Sequence, residues 1–458
     1  MRRHAVRSSA LTLVALALLA PRANAQGFGV YEHDACTMGR AATGVARPCN
    51  ASAVWYNPAG ILTSGSTPWS VSFGGTNIAP SFAFRDSLTG VTTNSKSNNV
   101  LAPNFYITHQ SHSNGHDWAL GLGVFAPYGL VSEWPNTFSG RFLGYRSELK
   151  SLYIQPTVAV RVNHWLQLGA GFDYIWTHVD LKQRVDLSSQ LAAPGTTFGQ
   201  LGIPLGTDFA DAQLTGDANS AGGHFGVIIN PTSKLSLGAR YLMRVHASVQ
   251  GTANFTQIMT GITLPPGNPI APANTPLDSV LAPQFRGAGK LQAQHASTII
   301  AQPDQLVLGA AYALTPELTA LVDYQWTNWS QFDSLQITFL NLPATTQYED
   351  YNNTNGWRFG LQYEQNGFAL RGGYLHHDGA APDQTVTPLL PEGARNEFTL
   401  GGGIKVGTHG RLDIAYQHIT QQARRGRVVP APRGSTAFNT GLYTGSASLL
   451  GASLTWGW

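Results

Sequence analysis

The chain has 458 residues, a formal net charge of +3 and 12% charged residues, about half the ~25% usual in soluble proteins. So small a net charge gives no sign of a nucleic-acid partner. A mean hydropathy of −0.10 is far too low for a bundle of membrane helices, whereas 50 glycines and 10% aromatic residues suit a barrel with one apolar and one polar face.

Residues 1–25 read as a secretory signal. Arg2, Arg3 and Arg7 form a basic start, Ala10 to Ala20 an apolar stretch, and Ala23-Asn24-Ala25 a small-residue cleavage site. The apolar stretch is too short to span a bilayer as a helix, and no later stretch supplies ~18 consecutive apolar residues. The mature chain is expected to begin at Gln26. Export without a helical anchor leaves the periplasm, the medium or the outer membrane.

Residues 26–65 come next, rich in Gly and Ala and without a sustained apolar period of 2 or 3.6. They run into Asn57-Pro58-Ala59-Gly60. We read them as a plug, and 66–458 as a barrel that wraps it. The two cysteines of the chain, Cys36 and Cys49, both fall in the plug. A disulfide between them is permitted after export and would contribute ~3 kcal/mol on the chain-entropy view. Two small buried thiols are the other reading. With His33 nearby they offer no recognisable zinc spacing, so no metal is expected.

From Trp69 onward the dominant period is 2. Leu166, Leu168, Ala170, Phe172, Tyr174 and Trp176 alternate with Gln167, Gly169, Gly171, Asp173 and Thr177, with Ile175 the one exception. Side chains alternate faces along a strand, so one row faces lipid and the other the lumen. The same alternation recurs around Trp118, Leu235, Leu318 and Leu412. A soluble sandwich would alternate too. Here the polar row is rich in Gly and aromatics collect near strand ends, as in the girdles of outer-membrane barrels.

The pattern predicts an all-β, 14-stranded antiparallel transmembrane barrel. Its strands fall near 69–79, 100–110, 117–127, 149–162, 165–185, 219–230, 234–256, 291–312, 317–340, 355–364, 367–377, 395–406, 410–420 and 444–458. An even count lets the sheet close without free edges. Tight turns such as Asn163-His164 mark the periplasmic side, and long connections face outward. The Pro-rich 257–290 reads as an irregular loop with little helix. The last strand ends on Trp458, a terminal aromatic of the kind that outer-membrane barrels present as an assembly signal.

These features together resemble the FadL family of outer-membrane transporters for long-chain fatty acids and other hydrophobic compounds. The resemblance rests on the small-Gly-Phe mature start, on Asn57-Pro58-Ala59 ahead of the first strand, and on Phe125-Ala126-Pro127-Tyr128-Gly129-Leu130. It rests also on Trp326-Thr327-Asn328-Trp329-Ser330-Gln331-Phe332 and on Pro388 to Asn396 (PLLPEGARN). It implies capture of a hydrophobic ligand among outer loops, transfer to a pocket beside the mature N-terminus, and release by a change at the plug. In some members release is sideways, past an irregular third strand. It places Phe28 at the inner pocket, where packing within the plug is the alternative. It makes Asn57, Pro58, Ala59 and Gly60 plug supports with a gating role. It puts Pro127 and Gly129 at the third-strand irregularity, unless Pro127 simply ends the strand at the rim.

For a carboxylate partner the fifth strand offers Lys182 and Arg184, although the strict frame puts Gln183 at the family's position and both can be rim charges. Arg240 and Arg244 project inward and are expected to pair with Asp or Glu. His376-His377-Asp378 and His109/His112/His116 lack a Ser or a third ligand at fixed spacing, and no nucleophile or phosphate-loop motif stands in a supporting context. Neither enzyme activity nor a cofactor is expected. The expected partners are a long-chain fatty acid or other hydrophobic ligand and outer-membrane lipid, the protein acting as a monomer in the outer membrane. Three further readings stay open: a channel for aromatic or aliphatic hydrocarbons, a general porin, and an outer-membrane lipase.

Overall fold

The computed structural model describes residues 27–63, 67–113, 115–428 and 440–458. The expected signal segment and Gln26 lie outside the described residues. Among the described residues fourteen antiparallel strands follow one another around a closed wall. They are β1 (Trp69–Asp86), β2 (Val100–Ser113), β3 (His116–Glu133), β4 (Arg146–Arg161), β5 (Leu166–Asp186) and β6 (Asp208–Ile229). Then come β7 (Leu235–Leu242 and Val245–Gln257), β8 (Gln294–Gln302 and Gln305–Ala313) and β9 (Leu318–Thr327 and Ser334–Phe339). The circuit ends with β10 (Thr354–Gln365), β11 (Phe368–His377), β12 (Arg395–Val406), β13 (Gly410–Gly426) and β14 (Gly441–Gly457). β14 pairs back onto β1 from Ser70↔Gly457 to Asp86↔Gly441, which closes the circuit.

The two rows read from the sequence separate cleanly. On β5, Phe172 and Tyr174 stand exposed to the lipid side, while Gln167, Asp173 and Thr177 are buried within. The exception, Ile175, is buried because the lumen is apolar at its level, where residues of the 27–63 segment and the wall share one core. Several strands overrun the sequence pattern: β1 reaches Asp86, β3 reaches Glu133 and β6 begins at Asp208. The lipid band needs only ~9–11 residues per strand, and beyond it neither row has to be apolar, so the alternation fades before the strand ends. The region 257–290 is mostly irregular, with one short helix at Leu277–Leu281.

Residues 27–63 run through the barrel interior. Asp34 caps helix α1 (Ala35–Met38) by accepting from Thr37 N at 3.1 Å. Helix α2 (Ala53–Tyr56) and a 3-10 turn (Pro58–Leu62) follow. Cys36 and Cys49 form a disulfide with Cα atoms 6.3 Å apart. The segment is tied to the wall at several points. The Asp323 carboxylate accepts from Gly44 N (2.9 Å) and Val45 N (3.2 Å), and Ala41 N donates to Thr399 Oγ1 (3.0 Å). The backbone lies so close to the strands that a Cβ at Gly169, Gly226, Gly238 or Gly360 would meet backbone or side-chain atoms of Ala59, Asn57, Val45 or Arg40. The glycines of the inward row therefore serve as seats for the segment.

Arg240 and Arg244 have other partners than expected. Arg240 lies over the Trp55 ring at 4.2 Å and donates to Gln305 Oε1 at 3.2 Å, and Arg244 donates to Gln331 Oε1 at 3.1 Å. A guanidinium is weakly hydrated and stacks on aromatics, so Trp55 of the segment takes the place of a carboxylate.

Candidate functional site

Three connected hollows define the site. An outer groove of about 700 Å³ lies among the loops, lined by Phe142, Leu181, Lys182, Phe209, Phe255 and Phe339 among others. An inner cavity of about 320 Å³ lies within the wall against Phe28, Tyr128, Leu130, Leu149, Leu390 and Arg395. Between them sits a neck of about 50 Å³. It shares Leu181, Leu335 and Leu389 with the groove, and Phe28, Leu130, Leu149 and Leu390 with the cavity.

The irregularity at Pro127 shapes the inner cavity. β3 continues past Pro127 to Glu133, so the proline does not end the strand. The β3–β4 register shifts between Phe125 and Tyr128, which is one extra residue on β3. On the other side β2 and β3 pair only from Phe105↔Val124 downward. Above that level β2 stays on β1 as far as Val100↔Ile78 while β3 holds to β4. The wall is thus unzipped between β2 and β3, and Leu101, Ala102 and Pro103 of β2 line the cavity beside Ala126 and Gly129 of β3.

The start of the described chain takes part of the edge that β2 leaves bare. Val30 N donates to Pro127 O at 2.9 Å, and Gly129 N donates to Phe28 O at 3.0 Å. Phe28 is buried, with its ring edge-on to Trp329, Phe332 and Tyr128 at 4.8, 5.5 and 6.0 Å between centroids. Trp329 comes from a 3-10 turn (Trp329–Gln331) that interrupts β9 and brings the ring into the core. The loop between β11 and β12 holds the preceding residue: Gly27 N donates to Glu392 Oε1 at 2.7 Å, and Arg395 Nη2 donates to Gly27 O at 2.8 Å. The buried Nε of Arg395 has no hydrogen-bond partner among the described residues.

The remaining expected residues fall in different places. Asn57 is buried, and its Nδ2 donates to Val45 O (2.7 Å), Val227 O (3.0 Å) and Ala239 O (3.3 Å), while its Oδ1 accepts from Ala59 N (3.1 Å). Pro58, Ala59 and Gly60 form the buried turn that follows. Lys182 lines the outer groove. Arg184 lines none of the three hollows. It is bound to Asp211 at 3.5 Å, opposite it in the β5–β6 register, with Tyr145 beside it. It shares a strand face with Lys182, and its buried Nε has no hydrogen-bond partner among the described residues. Trp458 stacks on Trp69 at 6.1 Å where β14 meets β1. Glu392 and Arg395 were not singled out in the sequence. Their segment, Pro388 to Asn396, stood out, but nothing local showed that it folds back onto Gly27.

The chain matches the description "Outer membrane protein transport protein (OMPP1/FadL/TodX)" over residues 16–457. It belongs to that family. Among curated relatives of this outer-membrane family, the long-chain fatty acid transport protein of Escherichia coli O6:H1 is 22% identical, with 88% of this chain and 90% of the relative covered. Among solved structures, a Pseudomonas aeruginosa FadL homologue superposes with a TM-score of 0.78 at 19% identity, covering 94% of this chain and 99% of the other. The Ralstonia pickettii toluene transporter TbuX gives 0.65 at 18%, covering 93% and 98%. At these identities the superpositions establish a shared fold. The family is one of transporters, and the protein is an outer-membrane barrel.

Proposed function

We propose that the protein admits hydrophobic small molecules passively, with long-chain fatty acids as its main substrate. The ligand enters the outer groove, passes the neck at Phe28 and rests in the inner cavity. It leaves when residues 27–30 move off the bare edge of β3. The carrying observation is the series of two apolar hollows joined by a neck and ending where β2 and β3 part. Each methylene moved from water into such a hollow gains ~0.8 kcal/mol, enough to hold a long chain without a pump.

Arg395 supports the acid over a hydrocarbon. It lines the inner cavity, and a carboxylate in an apolar space needs a cation or N–H donors. Lys182 and Arg427 are the corresponding cations in the outer groove. Fatty-acid transport is what the Escherichia coli relative is named for, and toluene transport is what the Ralstonia structure is named for. The hydrocarbon channel is therefore the second reading. Purified protein titrated with a long-chain fatty acid and with the matching alkane separates them. The acid should bind at least tenfold tighter, with Arg395→Gln erasing the difference. Equal binding of both would favour the hydrocarbon reading, and binding of neither would overturn transport.

A further inference from the structure

The neck between the two hollows carries a buried carboxyl group, Glu349, that the transport route as described does not use. Glu349 lies in the outer connection between β9 and β10, beyond the membrane-spanning strands, and is 7% exposed. Its surroundings in the neck are largely apolar: Phe28, Val179, Leu181, Ile300, Phe332 and Leu335. Its backbone N–H donates to Asp333 O at 2.8 Å, and its Oε1 accepts from Gln347 Nε2 at 2.8 Å. The charged or titratable groups facing it are few. Asp350 and Tyr351 follow it in the same connection, Arg427 comes from the segment after β13, and Glu148 of β4 lines the same neck. Glu148 is itself engaged by Arg146 and Lys150.

We propose that Glu349 makes the neck proton-dependent and thereby selective between acidic and neutral hydrophobic ligands. This rests on the transport reading above. A protonated Glu349 is an O–H donor in a narrow apolar passage and receives a passing carboxylate. Once ionised it opposes that carboxylate across a space with little water to screen the repulsion. A ligand without charge passes either form with little difference.

Burial of Glu349, set against the pull of Arg427 and the Gln347 hydrogen bond, raises its carboxyl from the ordinary range to about 8. The folded chain therefore keeps this proton where an exposed Glu has lost it. Its contribution is full below the ordinary Glu range and is lost as the pH rises through about 8.

The test is uptake by vesicles carrying the full-length barrel, over a pH series from about 6.5 to about 9.5, of a long-chain fatty acid and of its methyl ester. The expected result is a fall of about tenfold for the acid relative to the ester on going to the higher pH. In Glu349→Gln the ratio should stay constant with pH. In Arg427→Gln, which removes a cation favouring the ionised form, the midpoint should move to higher pH. An undiminished fall in Glu349→Gln overturns the proposal while leaving transport standing. If Glu349→Gln does not fold, judged by heat-dependent migration of the barrel in detergent gels, an unmoved midpoint in Arg427→Gln overturns it instead. No uptake of either ligand by the wild-type protein overturns the transport reading and this proposal with it.

Discussion

Asn57→Ala should loosen the plug without disturbing the barrel. The Asn57 amide nitrogen reaches one carbonyl within the segment and one each on β6 and β7, and the amide oxygen caps the turn that follows. Its two N–H groups are shared among those three acceptors, so the substitution removes about three net hydrogen bonds at ~1 kcal/mol each. The wall carbonyls keep their ladder partners, which limits the further cost of leaving them bare. A loss of about 3 kcal/mol in local stability raises the population of the open plug by roughly two orders of magnitude. Hydrogen exchange at the amides of Trp55, Tyr56 and Asn57 in detergent-solubilised protein reads this directly, and single-channel conductance reads whether the loosened plug lets ions through. Exchange at those amides within threefold of wild type, together with an unchanged closed state, would refute the view that Asn57 seats the plug.

Breaking the disulfide with Cys36→Ser and Cys49→Ser, which opens a loop with a sequence separation of 13, should cost the plug ~3 kcal/mol. Hydrogen exchange confined to residues 34–52 would show it. Arg395→Gln should weaken fatty-acid binding about tenfold, the scale of one charge-assisted hydrogen bond, and leave alkane binding unchanged in the same titration. Phe28→Ala removes a ring packed against Tyr128, Trp329 and Phe332 and merges neck with cavity. Bulkier ligands should then enter in a size-series uptake assay, while affinity for the preferred ligand falls at least tenfold through lost contacts.

The number and order of strands were legible because lipid and lumen impose opposite demands on alternate residues. The inward glycines at 169, 226, 238 and 360 lay in that pattern too, although their role as seats shows only once the segment is in place. The parting of β2 from β3 was half legible. Pro127 signals a break in pairing, but whether the strand stops or bulges depends on β4, which keeps its hold to Glu133. The pairing of Arg184 with Asp211 was not legible, because the two meet only across the β5–β6 register. The places of Glu349 and Arg395 were invisible for a similar reason: each is set by a loop that folds back over the barrel, and no local periodicity records such a fold.

The way β14 closes onto β1 has a consequence for how the molecule is built. The seam lies directly over the N-terminal segment: Thr76 of β1 donates to Glu32 O at 2.9 Å, Met38 packs with Ala415 of β13 and Leu449 of β14, and a Cβ at Gly451 would meet the Met38 sulfur. The segment and the last strand lie at opposite ends of the described residues, yet they are packed face to face. Closing the seam and seating the segment therefore draw on the same contacts, and a change that loosens one loosens the other.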